Sequence, residues 1–130
     1  MREKVDGMRV PPAALGLAAL LAGAGVTHFA VPAVYDAMIP EPLPGPPRAW
    51  TYGAGVAELA VSAAILVPRT RRTGGLAAAV LFAAVLPGNV KVAIDARRSD
   101  SSAYRAGTIL RLPMQLPLIA WGVYVSRNAR

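Results

Sequence analysis

Four apolar blocks, each long enough to form one membrane-spanning helix, dominate this chain of 130 residues. A hydrocarbon core of about 30 Å requires roughly 20 residues of helix. The blocks cover about 12–35, 49–67, 74–94 and 106–126, and charged residues gather in the short stretches between them. Because Ala and Leu dominate the blocks and none alternates with a period of two, the pattern predicts helices and disfavours a membrane barrel. We therefore expect an all-α fold, an integral membrane four-helix bundle.

Composition and charge support a membrane protein and exclude several other classes. Hydrophobic residues make up 55% of the chain and charged residues 16%, which is unusual for a soluble domain of this length. The net charge of +7 comes from Lys and Arg at the ends of the apolar blocks, so membrane lipid is the expected partner and nucleic acid is not. With no Cys and a single His, this chain alone cannot build a thiolate, iron–sulfur or bis-histidine haem centre. We predict no metal site.

The distribution of Lys and Arg predicts the orientation, because an even number of spans places both termini on one side. Eight basic residues flank the spans on that side and four on the other. The eight are Arg2, Lys4, Arg9, Arg69, Arg71, Arg72, Arg127 and Arg130, and the four are Arg48, Arg97, Arg98 and Arg105. The positive-inside rule then predicts a multi-pass membrane protein with both termini in the cytoplasm. The first block starts like a signal peptide, but its length predicts a retained helix.

The first outer loop, residues 36–48, contains five prolines. So many prolines disfavour a helix or a central strand and predict a stiff, extended cap over the outer mouth of the bundle. A plain rigid connector is the alternative interpretation.

Six polar or charged side chains interrupt the apolar blocks. They are His28, Glu58, Asn89, Lys91, Arg111 and Gln115. Ionisable groups inside a membrane are costly and usually face the interior of a bundle. A helical rise of about 1.5 Å per residue places all six in the outer half of the membrane. We therefore predict one polar chamber that opens outward.

Glu58 and His28 are the candidate catalytic residues, as an acid and base pair. Gly55, Glu58 and Ser62 share one helix face by their spacing, and Arg111 is expected to approach Glu58. The alternatives are a buried ion pair that only fixes the helix register and a histidine bonded to a neighbouring backbone group.

The remaining polar side chains are candidates for binding a ligand. They are Asn89, Lys91, Arg111 and Gln115. Asn89 and Gln115 could instead form hydrogen bonds between helices. Lys91 could snorkel to the interface or pair with Asp95. Prolines adjoin three of these residues: Pro87 precedes Asn89, and Pro113 and Pro117 flank Gln115 near Arg111. We expect these prolines to interrupt the third and fourth helices and to expose carbonyl groups toward the chamber.

A string of short motifs carries a family resemblance over residues 16–122. The motifs are Thr27-His28-Phe29, Pro32, Tyr35, Met38-Ile39-Pro40, Leu43-Pro44, Trp50, Tyr52-Gly53, Ala57-Glu58-Leu59, Pro68-Arg69-Thr70-Arg71-Arg72, Leu86-Pro87-Gly88-Asn89-Val90 and Arg111-Leu112-Pro113-Met114-Gln115. Together they resemble the DoxX-like small membrane proteins of bacteria. The family commonly has Pro-Ala-Asn in the third span, where this chain has Gly88 in place of the alanine. The resemblance implies a four-helix bundle in the bacterial inner membrane, and some relatives are membrane subunits of quinone-linked oxidoreductases.

Three functions are compatible with these observations. The first is a small membrane subunit that binds a quinone or lipid-like ligand in the outward-facing chamber and serves a partner oxidoreductase. The second is a stand-alone enzyme, an isomerase, cyclase or hydrolase, that uses acid and base chemistry on a lipid or terpenoid. The third is a non-catalytic assembly or carrier protein, and a transporter-like role would require a homo-oligomer because four spans are few. A quinone is the one cofactor that these functions suggest.

Overall fold

The computed structural model describes residues 9–129, which contain helices and no strand. The helices are α1 (Pro12–Ala30), α2 (Pro32–Asp36), α3 (Pro47–Leu66), α4 (Arg71–Ala84), α5 (Leu86–Asp95) and α6 (Ser102–Asn128), with a 3-10 turn at Ala96–Arg98. Four segments are long and apolar enough to cross a membrane: α1, α3, α4 continued by α5 and the 3-10 turn, and α6. The predicted all-α membrane four-helix bundle is confirmed. Arg2, Lys4 and Arg130, which enter the predicted orientation, lie outside the described residues.

Proline positions explain where three of these helices begin. Pro12, Pro32 and Pro47 each open a helix, where the missing N–H costs no intrahelical hydrogen bond. The first apolar block is therefore divided at Val31, and the third is divided at Val85, between α4 and α5. The predicted break in the third span is present.

The fourth helix differs from the prediction. Pro113 and Pro117 lie inside α6, which continues without interruption from Ser102 to Asn128. Each proline removes one backbone hydrogen bond. Ending the helix there would leave many more polar backbone groups without partners in lipid, so a continuous helix is the less costly solution.

The outer loop also differs from the prediction, because it is a series of turns and not an extended segment. The backbone N–H of Met38 donates to Tyr35 O, and that of Leu43 donates to Pro40 O. Gly45 has a positive φ of 85°, a conformation that glycine adopts at little cost. We call residues 31–46, which include α2 and these turns, the cap.

The helices pack in the order α1, α3, α4 and α6, with α6 returning to contact α1. Leu17, Leu21 and Ile65 are fully buried in the apolar core. Ser62 Oγ in α3 donates to Ala18 O in α1 over 2.6 Å. Much of the other apolar surface is exposed, as expected for helices whose outer faces contact lipid.

The contact between α4 and α6 depends on glycine. A Cβ atom placed on Gly75 would lie 2.7 Å from Ser126 N and 2.8 Å from Gly122 O. Both are backbone atoms, so no change of side-chain rotamer could relieve the clash. Small residues at such crossings allow two helix backbones to approach closely, and this packing is what holds membrane helices together.

We predict that Gly75→Ala destabilises the bundle by about 1–3 kcal/mol, because the added methyl group overpacks the crossing of α4 and α6. Thermal unfolding of the purified protein in detergent measures the effect. Gly107→Ala is the matched control, since Gly107 is also helical and a Cβ there meets no atom within 4 Å. Equal melting temperatures for the two variants would contradict the prediction.

Candidate functional site

The candidate site lies where the buried faces of α1 and α3 meet. On α3 the buried residues are Thr51, Gly55, Glu58, Ser62 and Ile65, which recur at intervals of three and four. The buried face of α1 ends with Gly25 and His28 in the last turns of that helix. Such spacing places one stripe of each helix against its neighbour. The sequence-based prediction that Gly55, Glu58 and Ser62 share a face is confirmed.

A close approach at Gly55 brings the two polar side chains together. A Cβ atom on Gly55 would lie 2.9 Å from the Cβ of His28 and 2.7 Å from Cε2 of Phe29. Gly25 makes the reciprocal approach, since a Cβ atom on Gly25 would lie 3.1 Å from Gly55 O. A larger residue at either position would separate the helices and widen the gap between His28 and Glu58.

His28 and Glu58 are both buried and in contact. His28 Nδ1 lies 3.2 Å from Glu58 Oε2 and 2.7 Å from Ala24 O. A carbonyl oxygen only accepts, so Nδ1 carries a proton and donates to Ala24. Although Glu58 Oε2 is close to the ring, it is not aligned for a hydrogen bond. Among the fully buried side-chain nitrogen and oxygen atoms of residues 9–129, it is the only one without a hydrogen-bond partner. His28 and Glu58 are therefore in contact without a hydrogen bond between them, and the carboxyl group keeps an unused hydrogen-bonding position.

Tyr35 of the cap covers the imidazole. The two rings stack with centroids 3.7 Å apart and an interplanar angle of 18°. The Thr27 hydroxyl donates to Ala24 O over 2.7 Å, so the 2.6 Å contact between Thr27 Oγ1 and the Tyr35 hydroxyl uses the proton of Tyr35. The cap thus fixes the orientation of the His28 ring by covering one of its faces.

Four contacts fasten the cap to the bundle. The carboxylate of Asp36 accepts from Thr51 Oγ1 at 2.6 Å and from Arg48 Nε at 2.8 Å. Trp50 Nε1 donates to Pro44 O over 2.7 Å. From α5, Lys91 Nζ donates to Ile39 O over 2.9 Å. The ammonium group of Lys91 therefore holds the cap in place.

The other polar residues do not join His28 and Glu58. Gln115 is buried and donates through Nε2 to Phe82 O over 3.2 Å, where the end of α4 leaves carbonyls without helical partners. Asn89 is buried on α5. Arg111 is exposed on α6, and within residues 9–129 the ionic contact of Glu58 is with His28. The structure thus brings together two of the six candidates, and the ligand-binding roles of the others remain predictions.

Sequence reasoning missed the contribution of the cap to this site. Thr27, Tyr35, Asp36 and Thr51 are ordinary interface or loop residues when considered one at a time. An acidic residue beside a proline-rich segment, with Thr and Arg at the start of the next helix, was the available signal. Its meaning depends on a turn geometry that local sequence does not specify.

A cavity of about 330 Å³ lies at the opposite end of the bundle. It is lined by the start of α1, by Arg71 at the start of α4, and by Tyr124, Val125 and Asn128 near the end of α6. The described part of the chain contains no group of three His, Asp or Glu side chains placed to hold a metal ion.

Comparison with known families gives a match over most of the chain. Residues 17–126 match the family described as Domain of unknown function (DUF8561). The chain belongs to this family. The match includes α1 from Leu17 onward, the cap, and α3 to α5, and it ends within the last turns of α6. Neither the curated proteins nor the solved structures provide a match. The family's description names no chemistry, so the function is inferred from the site.

Asp36 provides a test of how the cap is held. Its hydrogen bond from Thr51 lowers the pKa of the Asp36 carboxyl below the ordinary value of 3.8. Burial opposes this shift, and the hydrogen bond and charge of Arg48 add to it. The resulting stabilisation is present above the unfolded-state pKa and is lost as the pH falls through the lower folded-state pKa.

We predict that the cap loosens as the pH falls below about 3.8, because a protonated Asp36 no longer holds Thr51 and Arg48 as strongly. Limited digestion by an acid-active protease measures cleavage within residues 31–46. Asp36→Asn is expected to show rapid cleavage at every pH. An Asp36→Asn variant that retains the same pH dependence as the natural chain would contradict this prediction.

Proposed function

We propose that this protein is a small membrane subunit that binds a quinone or lipid-like ligand beside His28 and Glu58 and serves a partner oxidoreductase. The observation that supports this proposal is the buried Glu58 Oε2, which lacks a hydrogen bond and lies 3.2 Å from an imidazole nitrogen. Buried polar atoms nearly always have partners. An unpartnered one inside a membrane span suggests a position for a group that the chain itself does not supply.

The chemistry of the two side chains suits a ring that carries oxygen atoms. Glu58 Oε2 is enclosed by its neighbours, so a ligand that reaches it must displace them. The hydroxyl of a reduced quinone, or of a lipid head group, would then donate to Oε2. The second ring nitrogen of His28, Nε2, has no hydrogen bond within the described residues and could bind a carbonyl or a hydroxyl. Tyr35 is half-buried, and the ring face that is not stacked on His28 is a flat surface against which a planar head group could lie. In this proposal the chain has no redox centre of its own, so the bound quinone would exchange electrons with the partner oxidoreductase.

Arg111 supports the existence of a partner subunit. It is exposed on α6 among large exposed apolar side chains such as Leu110 and Met114. A guanidinium that faces lipid within a span is costly. A partner subunit, or a second copy in a homo-oligomer, would cover this position and supply hydrogen-bond acceptors to it.

We further infer a bacterial inner-membrane location with both termini in the cytoplasm. The uneven distribution of Lys and Arg supports this orientation. Membership in the DoxX-like family stays a proposal that rests on the motif string. In that orientation the cap and the His28 and Glu58 pair belong to the outer half of the membrane.

One observation favours a second candidate function. A carboxyl group and an imidazole in contact are the usual components of acid and base catalysis. The pair could therefore act on a lipid or terpenoid in a stand-alone isomerase, cyclase or hydrolase. The identity of the bound molecule separates this possibility from the first.

We predict that Glu58→Gln reduces co-purified ligand by about tenfold, because the amide keeps the shape of the carboxyl group but loses its charge and one acceptor oxygen. Mass spectrometry of small molecules extracted from the purified protein measures the change. Glu41→Gln is the matched control, since Glu41 is exposed in the cap. Circular dichroism verifies that both variants remain helical.

The identity of the lost molecule decides between the candidates. Loss of a quinone supports the subunit proposal, and loss of a lipid or terpenoid of another class supports the enzyme. If the natural chain and both variants carry the same small molecules in equal amounts, the site binds no ligand and both candidates are wrong.

A further inference from the structure

The cavity at the end of the bundle opposite the cap contains a buried cation. Arg71 is 5% exposed and lines this cavity of about 330 Å³. Its Nε donates to Ile65 O over 2.8 Å, and its Nη2 donates to Leu66 O over 3.1 Å. These bonds satisfy carbonyls at the end of α3 that have no helical partner and hold the guanidinium in one orientation.

Arg71 has hydrogen-bonding capacity left over. A guanidinium carries five N–H donors, and within residues 9–129 its Nη1 makes no hydrogen bond. Nη1 is not fully buried, because in the described chain the only fully buried side-chain nitrogen or oxygen atom without a hydrogen bond is Glu58 Oε2. Nη1 therefore reaches open space, and the open space beside this residue is the cavity.

The positive charge is not matched by an acidic side chain in the described part of the chain, where the ionic contacts are those of His28 with Glu58 and Arg48 with Asp36. Arg71 also begins α4, a helix of 14 residues whose N-cap, Thr70, makes no side-chain capping bond. Its hydroxyl donates instead to Ala64 O. Unpaired N–H groups and the helix dipole add positive potential at this position.

The rest of the lining is mostly apolar. Pro11, which precedes α1, and the first residues of α1 to Ala14 form one wall, and Val125 forms part of another. Two polar groups, Tyr124 and Asn128, lie at the α6 side. A volume of this size is typical of a small-molecule site. One buried cation at the end of an apolar cavity, between helices that end near the membrane surface, suits an amphiphile with an anionic head and an apolar tail.

We infer that this cavity binds an anionic phospholipid, with its phosphate on Arg71 and the start of its acyl region against α1 and α6. This site is independent of the function proposed above, since it lies at the other end of the bundle and uses different residues. A zwitterionic lipid suits it less, because a second positive charge would lie near Arg71 and the start of α4.

The test uses the full chain, delipidated in detergent, with three probes: dioleoyl phosphatidylglycerol, dioleoyl phosphatidylcholine and glycerol 3-phosphate. Native mass spectrometry measures the lipid retained, and thermal unfolding measures the stabilisation. We expect at least tenfold greater retention of phosphatidylglycerol than of phosphatidylcholine, and no stabilisation by glycerol 3-phosphate. Equal retention of the two lipids, or equal stabilisation by glycerol 3-phosphate, would overturn the inference.

Variants separate a built site from general attraction to a basic surface. Arg71→Met is expected to lose about tenfold of the phosphatidylglycerol retention. Arg72→Met removes the same charge from the neighbouring exposed residue and should lose less than twofold. Equal losses would show surface attraction only and overturn the inference.

Arg71→Met also removes the bonds to the end of α3 and could fail to fold. Ala13→Phe therefore provides a second test, because it fills the cavity and leaves Arg71 in place. We expect it to reduce phosphatidylglycerol retention at least fivefold while the protein stays helical. Retention equal to that of the natural chain would overturn the inference.

Discussion

The close contact between α1 and α3 is the interaction on which the rest of the candidate site depends. Lipid tails are as apolar as the side chains that they surround, so hydrophobic burial does little to bring membrane helices together. Close packing and hydrogen bonds must do so. Here Gly25 and Gly55 allow the two backbones to approach, and Ser62 bonds across to Ala18 O. His28 and Glu58 meet only because this contact is close.

The same face of α3 also determines where the cap lies. Thr51 and Glu58 are seven residues apart, two helical turns, and both are buried on one stripe. Thr51 holds Asp36 of the cap while Glu58 contacts His28. The cap in turn places Tyr35 on the imidazole. One helix therefore positions both the carboxyl group and the segment that covers its partner, so a shift of α3 would disturb all of them together.

The sequence predicted the spans, the face of α3 and a polar cluster that includes His28 and Glu58, because each follows from hydrophobic length, helical period or the cost of a charge in lipid. It did not predict that Arg111 is exposed. Arg111 and Gln115 are four residues apart, about 40° around the helix axis. That difference is enough, at the edge of a buried stripe, to leave Gln115 buried and Arg111 exposed. Spacing shows which residues share a face but not how that face is rotated toward its neighbours. Similarly, Pro113 and Pro117 indicate lost hydrogen bonds, and only the surrounding helices decide whether the helix ends there.

Two of the buried ionisable groups, Arg71 and Glu58, show why burial alone does not identify a site. By its sequence context Arg71 is an ordinary basic loop residue, yet its guanidinium is buried and bonded to two carbonyls at the end of α3. Those bonds explain why Arg71 is tolerated inside the bundle, since the C-terminal end of a helix such as α3 carries partial negative charge. Glu58 has no comparable explanation, because Oε2 has no donor among the described residues. A partly satisfied cation beside a cavity and an unsatisfied carboxyl beneath a cap are different chemical situations. The first needs an anion only for its remaining donors, whereas the second needs a donor for a buried oxygen, so the two ends of the bundle should select different ligands.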